Sequence, residues 1–394
     1  MPRGKPKKKV LAITDLAAQL RDNAIREYGE TKVAGAEAFL DSVYGVPIPN
    51  NIPLQHMLGV DVVALGRAMT LVGDWGTQKS SMGWYMAKLF LQYGGLIVFI
   101  DGEHKTNPDQ VRAIIDDDDL FNRILFTKIY SLDEMLAALK YYAEEYPNLV
   151  PDKSIPMLIL VDSLNGITSK DTKEKLEKEE DIGYGTARNI ARMQEFFKMY
   201  MPNHLEPNPI TLVMINHQKK DVDQGNTGHG FKKHEPGGTH KEFMYTWKLA
   251  MAKMGSKESI EGVTATYRIK IEKSSLGQTY KHSLEVPSLS HIDEKGCEHI
   301  QFDWDTALSN LLVNDKISKE GLKKVMHFHR VGNKCTSTTL GLEDVSPREM
   351  GAAIHADPEL VKKLQILLRI RVKRKIGNNG PVDAGDATES IKLV

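Results

Sequence analysis

Short apolar runs recur along the first two thirds of the chain: Met69–Val72, Leu96–Ile100, Met157–Val161, Ile210–Ile215 and Tyr245–Met251. Each has strand length and is continuously apolar, as a strand covered on both faces must be. Helix-length stretches separate the first four, so the pattern predicts an α/β fold built on a twisted, largely parallel sheet flanked by helices. Thr264–Glu272 differs, because Tyr267, Ile269 and Ile271 alternate with Arg268, Lys270 and Glu272. That period of two predicts a half-buried strand and an antiparallel end to the sheet.

The flanks read differently. Leu16, Ala17, Leu20 and Ile25 fall at helical spacing within Thr14–Tyr28, and Gly29 follows as a stop. The turn-rich Pro47–Pro53 (PIPNNIP) reads as a linker into the main domain. After Pro287 short polar and apolar elements alternate. Ser346-Pro-Arg-Glu349 has the pattern of a capping box, and Asp357-Pro358 opens a helix carrying Leu360, Leu364, Leu367 and Leu368. From Gly377 the chain is poor in apolar residues. The expected organisation is an N-terminal helical, oligomerising segment (1–46), a core (47–290), a small C-terminal α+β domain (291–376) and a flexible tail (377–394).

Charge adds little, since 52 Lys and Arg balance 52 Asp and Glu, so any polyanion surface must come from local clustering. With only Cys297 and Cys335 no disulfide framework is implied, and no apolar run reaches membrane-spanning length. A cytoplasmic protein without a membrane partner is expected.

The candidate chemistry sits where strands end. Gly73-Asp-Trp-Gly-Thr-Gln-Lys-Ser-Ser81 follows an apolar strand and precedes a helical stretch, the context of a phosphate-binding loop. There the backbone amides of Gly73, Asp74, Trp75, Gly76, Thr77, Gln78, Lys79, Ser80 and Ser81 would cradle phosphates, Lys79 would neutralise them and Ser80 would ligand Mg²⁺. Gln78 stands where the usual pattern has its second glycine. Met157–Val161 runs into Asp162, a carboxylate placed for the metal shell, and Leu96–Ile100 runs into Asp101-Gly-Glu103, which offers Glu103 as a general base for water. A single such strand end reads equally well as a solvated turn; three together argue for a site.

In order and spacing, these segments over about Leu54–Val286 resemble the RecA family of ATP-dependent DNA recombinases: phosphate loop, strand ending in D-x-E, strand ending in D-S, and strand ending in Asn216 before a long loop. Gln78 and Asn216-His217 make the likeness closest to the UvsX-type phage recombinases. The resemblance implies an ATP- and Mg²⁺-dependent, DNA-stimulated ATPase that forms helical filaments on single-stranded DNA and pairs it with duplex DNA. It also implies a mediator or loader and a single-strand-binding protein as partners. It makes Lys79, Glu103 and His217 catalytic, with His217 sensing the γ-phosphate, and gives Lys273 the part of a lysine reaching the neighbouring subunit's nucleotide. Ser275 stands where that family has a second lysine. His217 also reads as a core histidine closing its strand, and Lys273 as a solvated strand-end lysine.

Two long loops are the candidate DNA surfaces. Residues 218–241 hold Lys219, Lys220, Phe231, Lys232, Lys233, Gly237 and Gly238, cations for phosphates and one aromatic for stacking. Residues 168–183 match the other loop in position, but their acidic KDTKEKLEKEED would repel phosphate. Arg188 and Arg192, four apart on the following helix, share a face that reads as a DNA contact or as an ordinary charged surface. The basic run Arg369–Lys375 offers a weaker duplex contact. Two rival readings remain on the same core, a hexameric helicase motor and a non-hydrolysing filament or accessory DNA-binding protein.

Overall fold

The computed structural model describes residues 43–164, 167, 185–217, 219–220, 233–234, 245–259, 262–276, 283–294, 296, 298–314, 327–377 and 380–382, with single positions between 18 and 26. The chain divides into two compact units, Met1–Tyr44 and Gly45–Val394. In the first, the described positions Ala18, Leu20, Asp22, Asn23, Ala24 and Arg26 are helical.

The second unit opens with β1 (Tyr44–Pro47), α1 (Ile52–Leu58) and β2 (Val62–Ala64). Its main sheet is built from β3 (Arg67–Gly73), β4 (Leu96–Asp101), β5 (Ile124–Lys128), β6 (Met157–Asp162), β7 (Ile210–His217), β10 (Trp247–Ser259), β11 (Gly262–Ser274), β12 (Leu284–Ile292) and β13 (Glu298–Phe302). Between β7 and β10 a small ribbon pairs β8 (Lys219–Lys220) with β9 (Lys233–His234). The order across the main sheet is β13-β12-β11-β10-β3-β7-β6-β4-β5. From β10 to β5 neighbours run parallel, and β10 to β13 run antiparallel. This is the α/β architecture that the apolar runs predict, including its antiparallel end.

Both faces of the parallel strands are covered, which is why those strands are apolar throughout. On one face Val98, Ile100, Ile159, Val161, Leu212 and Met214 pack with Met135 and Leu139 of α4 (Leu132–Leu149) and Phe197 and Tyr200 of α5 (Gly185–Tyr200). α2 (Lys79–Gln92) buries Met82, Met86 and Phe90. It presents Gly83 so close to the sheet that a Cβ there would meet Leu160 at 2.9 Å. Between β4 and β5, α3 (Pro108–Ile115) starts at the cap Asn107.

Pro47–Pro53 is packed rather than a spacer. Val46, Ile48, Ile52 and Leu54 are fully or almost fully buried, and the Asn51 side chain accepts from Leu54 N at 3.0 Å to cap α1. The turn forms at Pro49–Asn50, which stays exposed with Asn50 at φ 47°, while burial of Ile48 and Ile52 on either side anchors the segment to the core.

Downstream lie α6 (Trp304–Asn314), the three-stranded sheet β14 (Phe328–Val331), β15 (Lys334–Ser337) and β16 (Leu342–Val345), then α7 (Pro347–His355) and α8 (Pro358–Leu367). The Ser346–Glu349 capping box and the Asp357 cap form as their spacing predicts. β17 (Arg374–Gly377) and β18 (Gly380–Val382) extend the β1–β2 pair into a four-stranded sheet, so the end of this unit folds back onto its start. Buried Asp61 fixes that return by accepting from Lys373 N at 2.8 Å and lying 2.9 Å from Lys375 Nζ. The lysine approaches Asp61 Oδ2 outside hydrogen-bond geometry, so the contact is ionic. No described helix is long and apolar enough to cross a membrane.

Candidate functional site

Strand register assembles the site. Gly73 at the end of β3 pairs with His217 at the end of β7, and Asp101 at the end of β4 pairs with Asp162 at the end of β6. Two pairs of strand ends therefore converge at the C-terminal edge of a parallel sheet, where α/β folds hold ligands, with Gly73 and His217 two residues beyond the level of Asp101 and Asp162.

The loop between β3 and α2 has the backbone a phosphate cradle needs. Gly73 cannot carry a side chain, since a Cβ would fall 2.3 Å from Met251 O on β10. Gly76 and Gln78 both adopt left-handed conformations, with φ of 71° and 61°. Gln78 thus fulfils the conformational demand that usually selects glycine, at a cost of roughly 1 kcal/mol. Its Oε1 accepts from Ser81 Oγ at 2.6 Å, a contact that glycine could not make.

Lys79 is buried and curls over its own loop, donating to Asp74 O at 2.8 Å and Thr77 Oγ1 at 3.3 Å. Burial lowers its pKa, against the opposing pull of Asp162, Glu103 and Asp74. The next residue, Ser80, donates through Oγ to Asp162 Oδ2 at 2.6 Å. Burial pushes Asp162 up to about 6, and the negative charges of Glu103 and Asp101 add to the push, while Ser80 and Lys79 oppose it. This carboxylate is short of positive charge. A hydroxyl and a carboxylate meeting there are hard oxygen donors that fit a divalent cation such as Mg²⁺.

Asp101 organises the turn that carries Glu103. Its Oδ1 accepts from His104 N at 2.7 Å and Glu103 N at 3.2 Å, and its Oδ2 from Thr106 N at 3.4 Å. Glu103 Oε1 receives the Ser163 hydroxyl and lies 3.2 Å from His217 Nε2, while Oε2 lies 3.5 Å from Lys105 Nζ. Burial would raise the Glu103 pKa, but the Ser163 hydrogen bond, His217 and Lys105 together lower it. Burial lowers the His217 pKa, with Lys79 adding and Glu103 opposing, which favours a neutral imidazole.

Lys79, Ser80, Asp101, Glu103, Lys105, Asp162 and His217 line one cavity of about 300 Å³, together with Trp75, Trp84, Asn107, Gln110 and Ile215. Lys79, Ser80, Glu103, Asp162 and His217, singled out from the sequence, all meet there. Sequence reasoning quoted Asp101 and Ser163 as members of the strand-end motifs D-x-E and D-S without giving either a role, and passed over Lys105 and Trp84; nothing local marked Trp84.

The other candidates lie elsewhere. Lys273 sits on β11 opposite Lys248 and does not line the cavity. Arg192 makes a 2.5 Å ion pair with Asp133 at the start of α4, and the Arg188 side chain lies outside the described residues. In the β8–β9 ribbon Lys219 stands opposite His234 and Lys220 opposite Lys233. Phe231, Lys232, Gly237, Gly238 and the stretch 168–183 lie outside the described residues. Of the basic C-terminal run, Lys375 is committed to Asp61, and Arg371 lends its backbone to a bridge with Val60.

No known protein-family profile matches the chain. It is similar to protein RecA of Tropheryma whipplei (strain Twist), with 22% identity over 262 residues, 66% of this chain. The match spans 56% of that protein, little more than half its length. Together with the α/β architecture, this distant likeness supports a relationship to the RecA family.

Proposed function

We propose that the chain is an ATP-dependent DNA recombinase of the UvsX type, which assembles on single-stranded DNA and pairs it with a homologous duplex. The observation that carries the reading is the convergence of Lys79, Ser80, Asp162, Glu103 and His217 on one cavity at the ends of parallel strands. A site so composed suits phosphoryl transfer to water, in which positioning and charge neutralisation supply most of the catalysis.

In this reading the amides of Gly73–Ser81 hold the phosphates, and Lys79 exchanges its contacts with Asp74 and Thr77 for phosphate oxygens. Ser80 and Asp162 would hold Mg²⁺, which supplies charge neutralisation on the phosphate oxygens when bound. Glu103 Oε2, the less engaged carboxylate oxygen, takes the proton of the attacking water. His217, at the root of the segment that carries Lys219, Lys220, Phe231, Lys232, Lys233, Gly237 and Gly238, reports the γ-phosphate to that DNA-binding segment. Arg188 supplies a further backbone contact, Arg192 does so only by leaving Asp133, and Lys273 acts across the subunit boundary.

Self-assembly has one structural support. Among the described residues β5 is an unpaired edge of the main sheet, and it carries exposed Leu125 and half-exposed Phe126, a template for another chain. A mediator and a single-strand-binding protein are the further partners proposed, in a cytoplasmic setting.

The test is ATP hydrolysis with and without single-stranded DNA, paired with negative-stain electron microscopy in a slowly hydrolysed ATP analogue. DNA-stimulated turnover abolished by Lys79→Ala, and helical filaments that require both ligands, are expected. Closed six-membered rings would mean a helicase motor. DNA binding without turnover would mean an accessory binder.

A further inference from the structure

We infer that Ser163 is a positioning residue for Glu103, and that its hydroxyl decides which oxygen of that carboxylate faces the attacking water. This rests on the ATPase reading above and deepens it. Ser163 has no solvent exposure and follows Asp162, so the strand end that supplies the cation-side carboxylate also supplies the hydroxyl that grips Glu103.

The division of labour on Glu103 is unequal. Oε1 is approached by Ser163 Oγ and by His217 Nε2, whereas among the described residues the partner of Oε2 is Lys105, whose side chain is 77% exposed. A carboxylate oxygen with both lone-pair directions engaged is a poor proton acceptor, so the basic position is Oε2. His217 cannot hold Oε1 throughout the cycle, because a histidine that engages the γ-phosphate through Nε2 must release Glu103. The Ser163 hydroxyl does not line the cavity and has no ligand to turn to. It therefore keeps the carboxylate oriented in the nucleotide-bound state.

The loops are built to allow this contact. Gly102 N donates to Asp162 O at 2.8 Å, and a Cβ on Gly102 would fall 2.9 Å from Ser163 O and 2.8 Å from the Ile167 side chain. The absence of a side chain at Gly102 lets the β4 and β6 strand ends approach until a serine, with one of the shortest polar side chains, spans them.

The experiment compares wild type, Ser163→Ala and Ser163→Thr in steady-state ATP hydrolysis across pH, with melting temperature and the affinity of a fluorescent ATP analogue measured for each. Ser163→Ala is expected to lower kcat by about 10- to 100-fold with KM and analogue affinity within about two-fold, since the interaction serves the reacting water and not ground-state binding. The acidic limb of its rate profile should move to higher pH, because a carboxylate that loses a hydrogen-bond donor holds its proton more tightly. Ser163→Thr, which keeps the hydroxyl, should recover most of the rate and the wild-type limb. Unchanged kcat in Ser163→Ala overturns the inference. Equal losses in both variants with an unmoved acidic limb do so too, since they mark a packing role. A lowered melting temperature with normal analogue binding leaves the limb shift as the deciding readout. Failure of the wild type to hydrolyse ATP would instead strike the ATPase reading itself, and would be evident before any variant was compared.

Discussion

Ser80 Oγ donates to Asp162 Oδ2 at 2.6 Å, joining the first turn of the helix after the phosphate loop to the end of β6. The bond spans 82 residues of sequence, so it exists only because β3 and β6 end at the same edge of one sheet. Burial, with the nearby charges of Glu103 and Asp101, makes that carboxylate costly to ionise, and the Ser80 hydroxyl offsets only part of the cost.

Asp162→Asn should therefore stabilise the nucleotide-free protein above pH 6. The folded-state pKa, about 6, lies above the usual carboxylate value, so this aspartate favours folding fully below its unfolded pKa and loses that advantage as pH rises through 6. Removing the charge should raise stability by up to roughly 2 kcal/mol at pH 8, with little difference near pH 4. Urea denaturation at the two pH values measures it; an Asn variant less stable than wild type at pH 8 would contradict the assignment.

Adding a single methyl at Gly102 should disturb the site without dissolving the fold. Gly102→Ala places its Cβ against Ser163 O and Ile167, and the strand-end loops must separate by several tenths of an ångström. The expected result is a stability loss of about 1–3 kcal/mol and a kcat reduction at least as large as that of Ser163→Ala. Retention of full turnover by a folded Gly102→Ala protein would show that the close approach does not matter.

Lys375→Ala should destabilise the chain although Lys375 is partly exposed. Asp61 is 2% exposed, and the lysine is the cation beside its Oδ2. Leaving that charge buried should cost about 1–3 kcal/mol, at the low end for a broken buried pair because Lys373 N still serves Oδ1. In the double-mutant cycle with Asp61→Asn, the lysine's contribution should vanish once the charge is gone. A Lys375→Ala effect that persists in the Asn background would assign it to something other than the ion pair.

Leu125→Arg should prevent assembly while sparing nucleotide binding. The side chain is exposed on the edge strand β5 and does not line the nucleotide cavity, so a charge there blocks edge pairing without reaching the site. Sedimentation with an ATP analogue and single-stranded DNA should show loss of large species, with analogue affinity within about two-fold of wild type. Full-length filaments in the variant would move the assembly surface elsewhere.

The sequence alone determined the α/β class and the apolar strands at the centre of the sheet, because continuously apolar runs such as Met157–Val161 can exist only between covered faces, but it did not mark the outer strands β5, β12 and β13. It also determined the caps at Ser346 and Asp357, since these depend on residues three apart. It located Lys79, Ser80, Glu103 and Asp162 as candidates, because each lies at or just past a strand end or opens a helix, and His217 through the family resemblance. Three things it did not determine. Local turn chemistry encoded the exposed turn at Pro49–Asn50 but not the burial of Ile48 and Ile52 beside it, which needed a core to receive them. The Asp61–Lys375 pair and the Ser163–Glu103 contact join residues 314 and 60 positions apart, and no local pattern encodes such a distance. Only sheet register, with Asp101 beside Asp162 and Gly73 beside His217, turned separate strand ends into one cavity. Register is a property of packed strands and not of any one of them.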